Sequence, residues 1–213
     1  MKQSLFISSL AALLILCQGF VLGGKKEKWI SLFDGKSLNG WKVGENAASF
    51  KIENGTIVVN GPRAHLFYDG KVGEHNFKNF EFKAQVMTTP GSNSGIYFHT
   101  QYQEGGWPSK GYEVQVNNSH TDWRRTGSLY GIQDVKDVFV EDNQWYTEQI
   151  IVQGKHITIK INDKTVVDYT EPEEVGNKPG EGRKISSGTF ALQGHDPKSK
   201  VYYKDIMVKP LAD

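Results

Sequence analysis

The sequence predicts an all-β protein, a sandwich of antiparallel sheets with little helix. Apolar and polar residues alternate with period two along most of the chain, and no window of about 12 residues carries a helical apolar stripe. Glycine is abundant, with 23 of 213 residues, which suits a fold with many tight turns. About a dozen short strands separated by turn residues are typical of a β-sandwich or barrel.

The first 24 residues have the order of a secretory signal peptide. Lys2 precedes an apolar run from Leu5 to Leu16, and small residues follow it. The run is about a dozen residues long, whereas a membrane span needs ~20. We therefore expect a signal peptide over residues 1–24 and a single exported domain over residues 25–213. The domain would be periplasmic, extracellular or at the cell surface, without membrane association after cleavage.

Cysteine content and charge exclude several classes of protein. Cys17 is the only cysteine, so the chain has neither an internal disulfide nor a cysteine-rich zinc site. A lipid-modified cysteine normally follows a small residue, and Leu16 precedes this one, so we favour a plain signal peptide over a lipoprotein. Basic residues number 25 against 24 acidic ones, so the charge excess expected of a nucleic-acid-binding protein is missing.

The strands are predicted from alternating stretches bounded by turn residues. Asn54-Gly55 joins the first two as a hairpin, since Asn-Gly is favoured in two-residue hairpin turns. Polar turns at 153–155 and 162–164 join three later strands into a meander. In chain order the predicted strands are Ser49–Ile52, Thr56–Val59, His65–Tyr68, Phe80–Met87, Ser94–Thr100, Gly111–Val116, Ser128–Ile132, Trp145–Val152, His156–Ile161, Thr165–Tyr169, Thr189–Gln193 and Val201–Val208.

The strand that begins at Gly111 places a row of polar side chains on one face of a sheet. Successive side chains of a strand point to opposite faces. The apolar set, which we expect in the core, is Tyr112, Val114 and Val116, and the polar set is Glu113, Gln115 and Asn117. A carboxylate beside two amides offers the donors and acceptors that sugar hydroxyls need. A solvated outer face is the alternative interpretation.

Two other strands and two long loops extend this polar face into a candidate groove. By the same alternation Tyr97 and His99 share one face of Ser94–Thr100, and Gln193 and His195 lie together at the end of a later strand. Long loops at 101–110 and 117–126 are of the kind that often carry function. Their candidate sugar-binding residues are Trp107, His120, Trp123 and Arg124. Either tryptophan could instead cover the core.

Common catalytic motifs are missing from the sequence. It contains no phosphate-binding loop, dinucleotide-binding glycine pattern, nucleophile elbow or H-E-x-x-H zinc motif. Conventional glycoside hydrolysis uses two carboxyl groups, and the polar row supplies only Glu113. A second carboxylate could come from Glu104 or Asp122 in the loops, so this chemistry is disfavoured but stays open.

Five motifs in order resemble the 3-keto-disaccharide hydrolase domain family. They cover essentially the whole chain from Trp29 to Leu211. The motifs are Leu32-Phe33-Asp34-Gly35 with Leu38-Asn39-Gly40-Trp41, Asn93-Ser94-Gly95-Ile96-Tyr97-Phe98, Gly111-Tyr112-Glu113-Val114-Gln115, Thr126-Gly127-Ser128-Leu129-Tyr130 and Leu192-Gln193-Gly194-His195. Many family members have Arg at the position of His99, so this chain departs from the pattern there.

The resemblance implies a jelly-roll sandwich of the concanavalin A-like lectin/glucanase type and a specific chemistry. A ketone at C3 of a glucosyl unit acidifies the C2 proton; a base removes it, the C1 substituent is expelled, and water adds. This route needs one general base, for which Glu113 and His99 are the candidates. The resemblance also adds Tyr130 to the substrate-binding residues. A divalent metal held by His99, Glu113 and His195 is an open option, and no cofactor is firmly implied.

The sequence is therefore compatible with three functions. The leading one is a secreted hydrolase of 3-keto-glycosides that acts on a small carbohydrate or glycan. The alternatives are a non-catalytic carbohydrate-binding module on the same fold and a conventional glycoside hydrolase. The sequence leaves the oligomeric state unassigned.

Overall fold

The structure, a computed structural model, describes residues 28–173 and 183–213. Thirteen strands in these residues form two antiparallel sheets, which confirms the predicted sandwich. The expected signal peptide over residues 1–24 lies outside the described residues. No helix among the described residues has the length and apolar character needed to cross a membrane.

The larger sheet has eight strands and the smaller has five. In chain order the strands are β1 (Ile30–Ser31), β2 (Trp41–Val43), β3 (Phe50–Glu53), β4 (Thr56–Val59), β5 (Ala64–Tyr68), β6 (Phe80–Thr88), β7 (Ser94–Thr100), β8 (Tyr112–Val116), β9 (Tyr146–Gln153), β10 (His156–Ile161), β11 (Lys164–Thr170), β12 (Thr189–Gly194) and β13 (Val201–Pro210). The larger sheet has the order β11-β10-β9-β6-β13-β4-β3, with β1 also on β13, and the smaller has β2-β5-β12-β7-β8. Two short 3₁₀ helices span Ala47–Ser49 and Val72–His75.

The core lies between the two sheets because each strand turns alternate apolar side chains inward. On β8, Tyr112, Val114 and Val116 are each at most 1% exposed, as predicted. Phe190 of β12 meets Phe82 of β6 across the sandwich, with ring centroids 4.6 Å apart. Burying each such side chain stabilises the fold by about 1.5–3 kcal/mol. The outer face of the five-stranded sheet is thereby left for the polar side chains.

The predicted hairpin is confirmed by its backbone. Asn54 and Gly55 have φ angles of +48° and +77°, as a type I′ turn between twisted strands requires. β3 and β4 then pair in register, with Glu53 opposite Thr56.

One predicted strand is wrong. Ser128–Ile132 forms no strand, because the chain curls back and the N–H groups of Ile132 and Gln133 both donate to the Leu129 carbonyl. Leu129 still bridges to Val114, so the segment lines the edge of β8. The short strands β1 and β2 are too brief to show a period of two and were not predicted.

One carboxyl group lies inside the core. Glu148 follows the inward alternation of β9, opposite Ala84 on β6 and Ile161 on β10. Its side chain is fully buried, and neither carboxyl oxygen has a hydrogen-bond partner among the described residues. Burial raises the pKa of Glu148 well above its ordinary value, so the group is held neutral.

Candidate active site

A cavity of about 290 Å³ opens on the outer face of the five-stranded sheet. Its floor comes from β7, β8 and β12, and its walls come in part from the predicted long loops at 101–110 and 117–126, with Asn93, Tyr130 and Arg183 from outside them. The lining residues are Asn93, Tyr97, Trp107, Pro108, Glu113, Gln115, Asp122, Tyr130, Arg183, Gln193 and His195. A larger cavity of about 570 Å³ covers the other ends of β7 and β12, but its described lining includes no buried carboxyl or imidazole. The smaller cavity is therefore the candidate active site.

Glu113 lies at the centre of the floor, between two neutral hydrogen-bond donors. The Tyr97 hydroxyl donates to Oε2 at 2.8 Å, and the Gln193 side-chain amide donates to Oε1 at 2.7 Å. The side chain is almost fully buried. Burial raises the pKa of Glu113, while the hydrogen bond from Tyr97 and the charge of Arg183 act in the opposite direction.

Gly95 makes room for this carboxyl group. It lies on β7 next to the Glu113 side chain, and a Cβ atom at position 95 would come within 2.6 Å of Glu113 Oε1. Any larger residue would push the carboxyl group off its two donors. The glycine of the Asn93-Ser94-Gly95 motif thus serves the site by leaving space.

Amide groups form the rest of the floor. The Gln115 side-chain amide donates to Asn93 Oδ1 at 2.8 Å, which fixes the orientation of both side chains. Gln115 Oε1 and Gln193 Oε1 are buried and have no donor among the described residues. Buried acceptors are normally satisfied, so both oxygens suit the hydroxyl groups of a ligand.

Trp107 covers one side of the cavity and is held from below. Its ring lies 5.6 Å from the His65 ring and 5.6 Å from the His195 ring, between centroids. Its loop is tied down where the Gly106 N–H donates to Glu45 Oε1. Burial lowers the pKa of His65 to about 4, so this supporting ring is neutral. Trp107 itself is 45% exposed, which leaves ring surface free for a ligand.

His195 enters the cavity from the end of β12 and is oriented by Asp196. The distance between His195 Nδ1 and Asp196 Oδ2 is 2.8 Å. Although partial burial acts to raise it, hydrogen bonds from His195 and Ser199 hold the pKa of Asp196 at about 2. The carboxylate is therefore ionised beside the imidazole.

His120 joins this pair in a cluster with the composition of a metal site. One ligand atom from each of His120, His195 and Asp196 lies within 4.8 Å of the others. The hydrogen bonds, however, leave few free lone pairs. His120 Nδ1 already accepts from the Asp122 N–H at 3.1 Å, and both Asp196 oxygens accept two hydrogen bonds each. The cluster does not fit a preformed cation site.

The predicted placement of His99 in the groove is wrong. His99 has a φ angle of +54°, which breaks the alternation of β7. Its ring instead packs against Phe80 and Phe98, 5.6 Å and 5.4 Å away between centroids. Both ring nitrogens face backbone groups, the Lys78 carbonyl and the Ser186 N–H. His99 is therefore not beside Glu113, and the anticipated metal ligands His99, Glu113 and His195 do not meet.

Asn117 is also not presented to the cavity. It is fully buried, and its side-chain amide donates to the carbonyls of Asp122 and Arg124. Its Oδ1 accepts from the His120 N–H and the Arg125 guanidinium. With its hydrogen-bonding positions all used, Asn117 holds the loop 117–126 in shape.

Trp123 and Arg124 lie outside the cavity wall. Arg124 stands between two rings, 4.9 Å from Trp123 and 4.6 Å from Tyr130, and is ion-paired with Asp134. Tyr130 does line the cavity, as the resemblance implied. Arg124 thus supports Tyr130 from behind.

Sequence reasoning missed three residues of the cavity wall: Asn93, Pro108 and Arg183. Arg183 lies in a polar segment that the sequence alone does not link to the site. Its guanidinium donates to the Tyr130 carbonyl, and its charge acts on Glu113. Asn93 immediately precedes β7 within a family motif, which is the signal that could have found it.

Comparison with known proteins agrees with the resemblance. The sequence profile of the 3-keto-alpha-glucoside-1,2-lyase-like domain matches residues 28–209. A curated protein of Bacteroides thetaiotaomicron named 3-keto-disaccharide hydrolase is 30% identical over 168 residues. That match covers 66% of this chain and 58% of the relative, so the chain spans little more than half of the relative's length.

Solved structures share the fold at low identity. A crystal structure from Parabacteroides distasonis with a provisional glycosyl hydrolase name has a TM-score of 0.73 and 23% identity, covering 86% of this chain and 94% of that one. A carbohydrate-binding module from Bacillus subtilis has a TM-score of 0.56 and 12% identity, covering 80% and 95%. The match of the sequence profile to residues 28–209 is what establishes membership, and this chain belongs to the 3-keto-alpha-glucoside-1,2-lyase-like domain family.

Proposed function

We propose that the protein is an exported carbohydrate-active enzyme that cleaves the glycosidic bond of 3-keto-glycosides by removing the C2 proton. The observation that carries this proposal is Glu113, a buried carboxyl group in an open cavity. Both its oxygens accept hydrogen bonds from neutral donors, Tyr97 and Gln193. These hydrogen bonds stabilise the carboxylate, and a salt bridge that would reduce its basicity is not needed. Export remains a prediction of the amino-terminal sequence.

The environment of Glu113 suits a general base. A base works best when its pKa is close to the operating pH. Burial raises the pKa of Glu113, so its carboxylate is a stronger base than that of an exposed glutamate. A ketone at C3 of the substrate also lowers the barrier to proton removal, because the electron pair left at C2 is delocalised onto the 3-oxygen.

The bonds and protons balance in two steps. Glu113 takes the C2 proton, the resulting enolate re-forms its ketone, and the C1–O bond breaks as a C1=C2 double bond forms. Water then adds across that double bond: its hydroxide bonds to C1, Glu113 returns its proton to C2, and the remaining proton of the water ends on the aglycone oxygen. The sum is hydrolysis to a 3-keto sugar and the free aglycone.

Arg183 is the residue best suited to stabilise the enolate. It lines the same cavity and its positive charge already acts on Glu113. A fixed cation near the developing negative charge lowers the barrier most where water is excluded. The unpartnered oxygens of Gln115 and Gln193 would accept hydrogen bonds from the sugar hydroxyls.

Asp122 favours conventional glycoside hydrolysis as a second candidate. It lines the cavity with Glu113 and is ion-paired with Arg124 at 3.6 Å. Two carboxyl groups lining one cavity are what an ordinary glycosidase needs. A binding module on the same fold, like the carbohydrate-binding neighbour, is the third candidate.

Turnover of a 3-keto-glucoside compared with its unoxidised parent tests the proposal. We expect the purified domain to release the aglycone from the keto compound alone, and Asp122→Asn to retain most of that activity. Equal release from both compounds, abolished by Asp122→Asn, would establish the glycosidase instead. Binding of the sugars without release of aglycone would leave the binding module.

A further inference from the structure

We propose that His195, oriented by Asp196, is the general acid that protonates the departing glycosidic oxygen and then the base that activates water. This assignment rests on the proposed function, which accounts for the C2 proton but names no group that carries a proton to the departing oxygen. His195 lines the same cavity as Glu113. The site thus contains two separate proton-transferring groups.

The hydrogen bonds of Asp196 fix which nitrogen of His195 faces the cavity. Asp196 is an ionised acceptor whose oxygens also accept from Ser199 Oγ at 2.7 Å and the Lys198 N–H at 2.8 Å. A carboxylate cannot donate, so the proton shared across the 2.8 Å contact belongs to His195 Nδ1. Nε2 is then the nitrogen that gains or loses a proton on the cavity side.

Asp196 is itself held rigidly, as a positioning residue must be. The N–H groups of Lys198 and Ser199 both donate to Oδ1. The turn over residues 196–199 therefore fixes the carboxylate, and the carboxylate fixes the imidazole. Trp107 and His120 flank the imidazole, each 5.6 Å away between ring centroids.

Neutral His120 has the opposite tautomer to neutral His195, so it cannot take over the role of His195. Its Nδ1 accepts from the Asp122 N–H and lies 3.4 Å from the Asn93 amide nitrogen. Neutral His120 therefore carries its proton on Nε2. Among the described residues no carboxylate accepts a hydrogen bond from the His120 ring, so this ring is not oriented in the way that Asp196 orients His195.

The proton balance closes with His195 included. Protonated His195 gives its Nε2 proton to the glycosidic oxygen as the C1–O bond breaks and Glu113 takes the C2 proton. Neutral His195 then removes a proton from water as hydroxide forms the new C1–O bond, and Glu113 returns its proton to C2. Each group ends in its starting state.

Leaving-group dependence tests this role. Methyl 3-keto-glucoside has an aglycone oxygen that must be protonated, whereas the 4-nitrophenyl compound leaves as a stable phenolate. We expect His195→Gln to lower the single-turnover rate of aglycone release from the methyl compound by about 10²–10⁴-fold, the usual contribution of general acid catalysis. The loss for the 4-nitrophenyl compound should be much smaller. A merely structural role would lower both equally.

The matched control is His156→Gln. His156 also pairs with an aspartate, Asp168, but lies on the other sheet, and this variant should cleave both substrates like the wild type. Equal losses for the two substrates in His195→Gln, or no loss, would overturn the His195 role alone. A wild type that cleaves neither 3-keto compound would overturn the proposed function and this assignment together.

A second readout does not depend on activity. ¹⁵N NMR of the folded protein reports which nitrogen of neutral His195 carries the proton. We expect the Nδ1–H form, converting to the Nε2–H form or a mixture in Asp196→Asn. An Nε2–H form in the wild type would overturn the assignment.

Discussion

Glu113→Gln is expected to lower kcat on a 3-keto-glycoside by about 10²–10⁴-fold, the contribution of a positioned general base. The amide keeps the shape of the side chain but cannot accept a proton. Sugar binding should change far less, because Gln115, Gln193 and Trp107 are untouched. Steady-state kinetics and calorimetric titration with an unreactive parent sugar measure the two effects separately.

The matched control is Glu148→Gln, since Glu148 is also a buried glutamate but lies in the core. This variant should keep the kcat of the wild type. If Glu113→Gln weakened binding by no more than a lost hydrogen bond would, about 1–3 kcal/mol, and left kcat unchanged, Glu113 would be a binding residue and the catalytic role would fail.

Glu148→Leu is expected to stabilise the fold at neutral pH by roughly 1–3 kcal/mol, the cost of a buried polar group without partners. Glu148 is fully buried and neither oxygen is hydrogen-bonded among the described residues. Leucine has a similar volume and no polar atoms. Denaturant unfolding at pH 7 measures the change in the free energy of unfolding.

The sign of the pH dependence follows from the direction of the shift. The folded-state pKa of Glu148 is raised above the ordinary value of 4.5. The fold therefore loses no stability to ionisation of Glu148 below that value, and it loses stability as pH rises from there toward the folded-state pKa. Between these limits the wild type should lose stability with rising pH more steeply than Glu148→Leu. Equal slopes would contradict the raised pKa of Glu148, and a less stable leucine variant would contradict the cost assigned to its unpartnered oxygens.

The fold was predictable because a period of two in the sequence places side chains on opposite faces of a strand. Tyr112, Val114 and Val116 are buried in the core as expected. Glu113 and Gln115, which alternate with them along β8, line the cavity on the opposite face of the sheet. The same rule failed where the backbone left the extended conformation. The positive φ of His99 turns its ring toward Phe80, which no alternation pattern reveals.

The site itself was only half predictable. Residues on strands follow the alternation, but Arg183 reaches the cavity through tertiary contacts between segments far apart in sequence. The protonation of His195 depends on the turn over residues 196–199, whose hydrogen bonds become visible only in the structure. Asn117 was predicted to bind substrate because it is an amide that follows Gln115 on the same face of the strand. In the structure all of its side-chain hydrogen bonds go to the loop 117–126, and none is available to a ligand.

The proposed function requires the C2–H bond of the sugar to break during cleavage. A competition between 2-protio and 2-deuterio forms of one 3-keto-glycoside, with mass-spectrometric measurement of the remaining substrate, tests it most directly. We expect wild-type protein to consume the protio form faster, leaving substrate enriched in deuterium. Cleavage of both forms at equal rates would contradict proton removal from C2 as the step that commits the substrate.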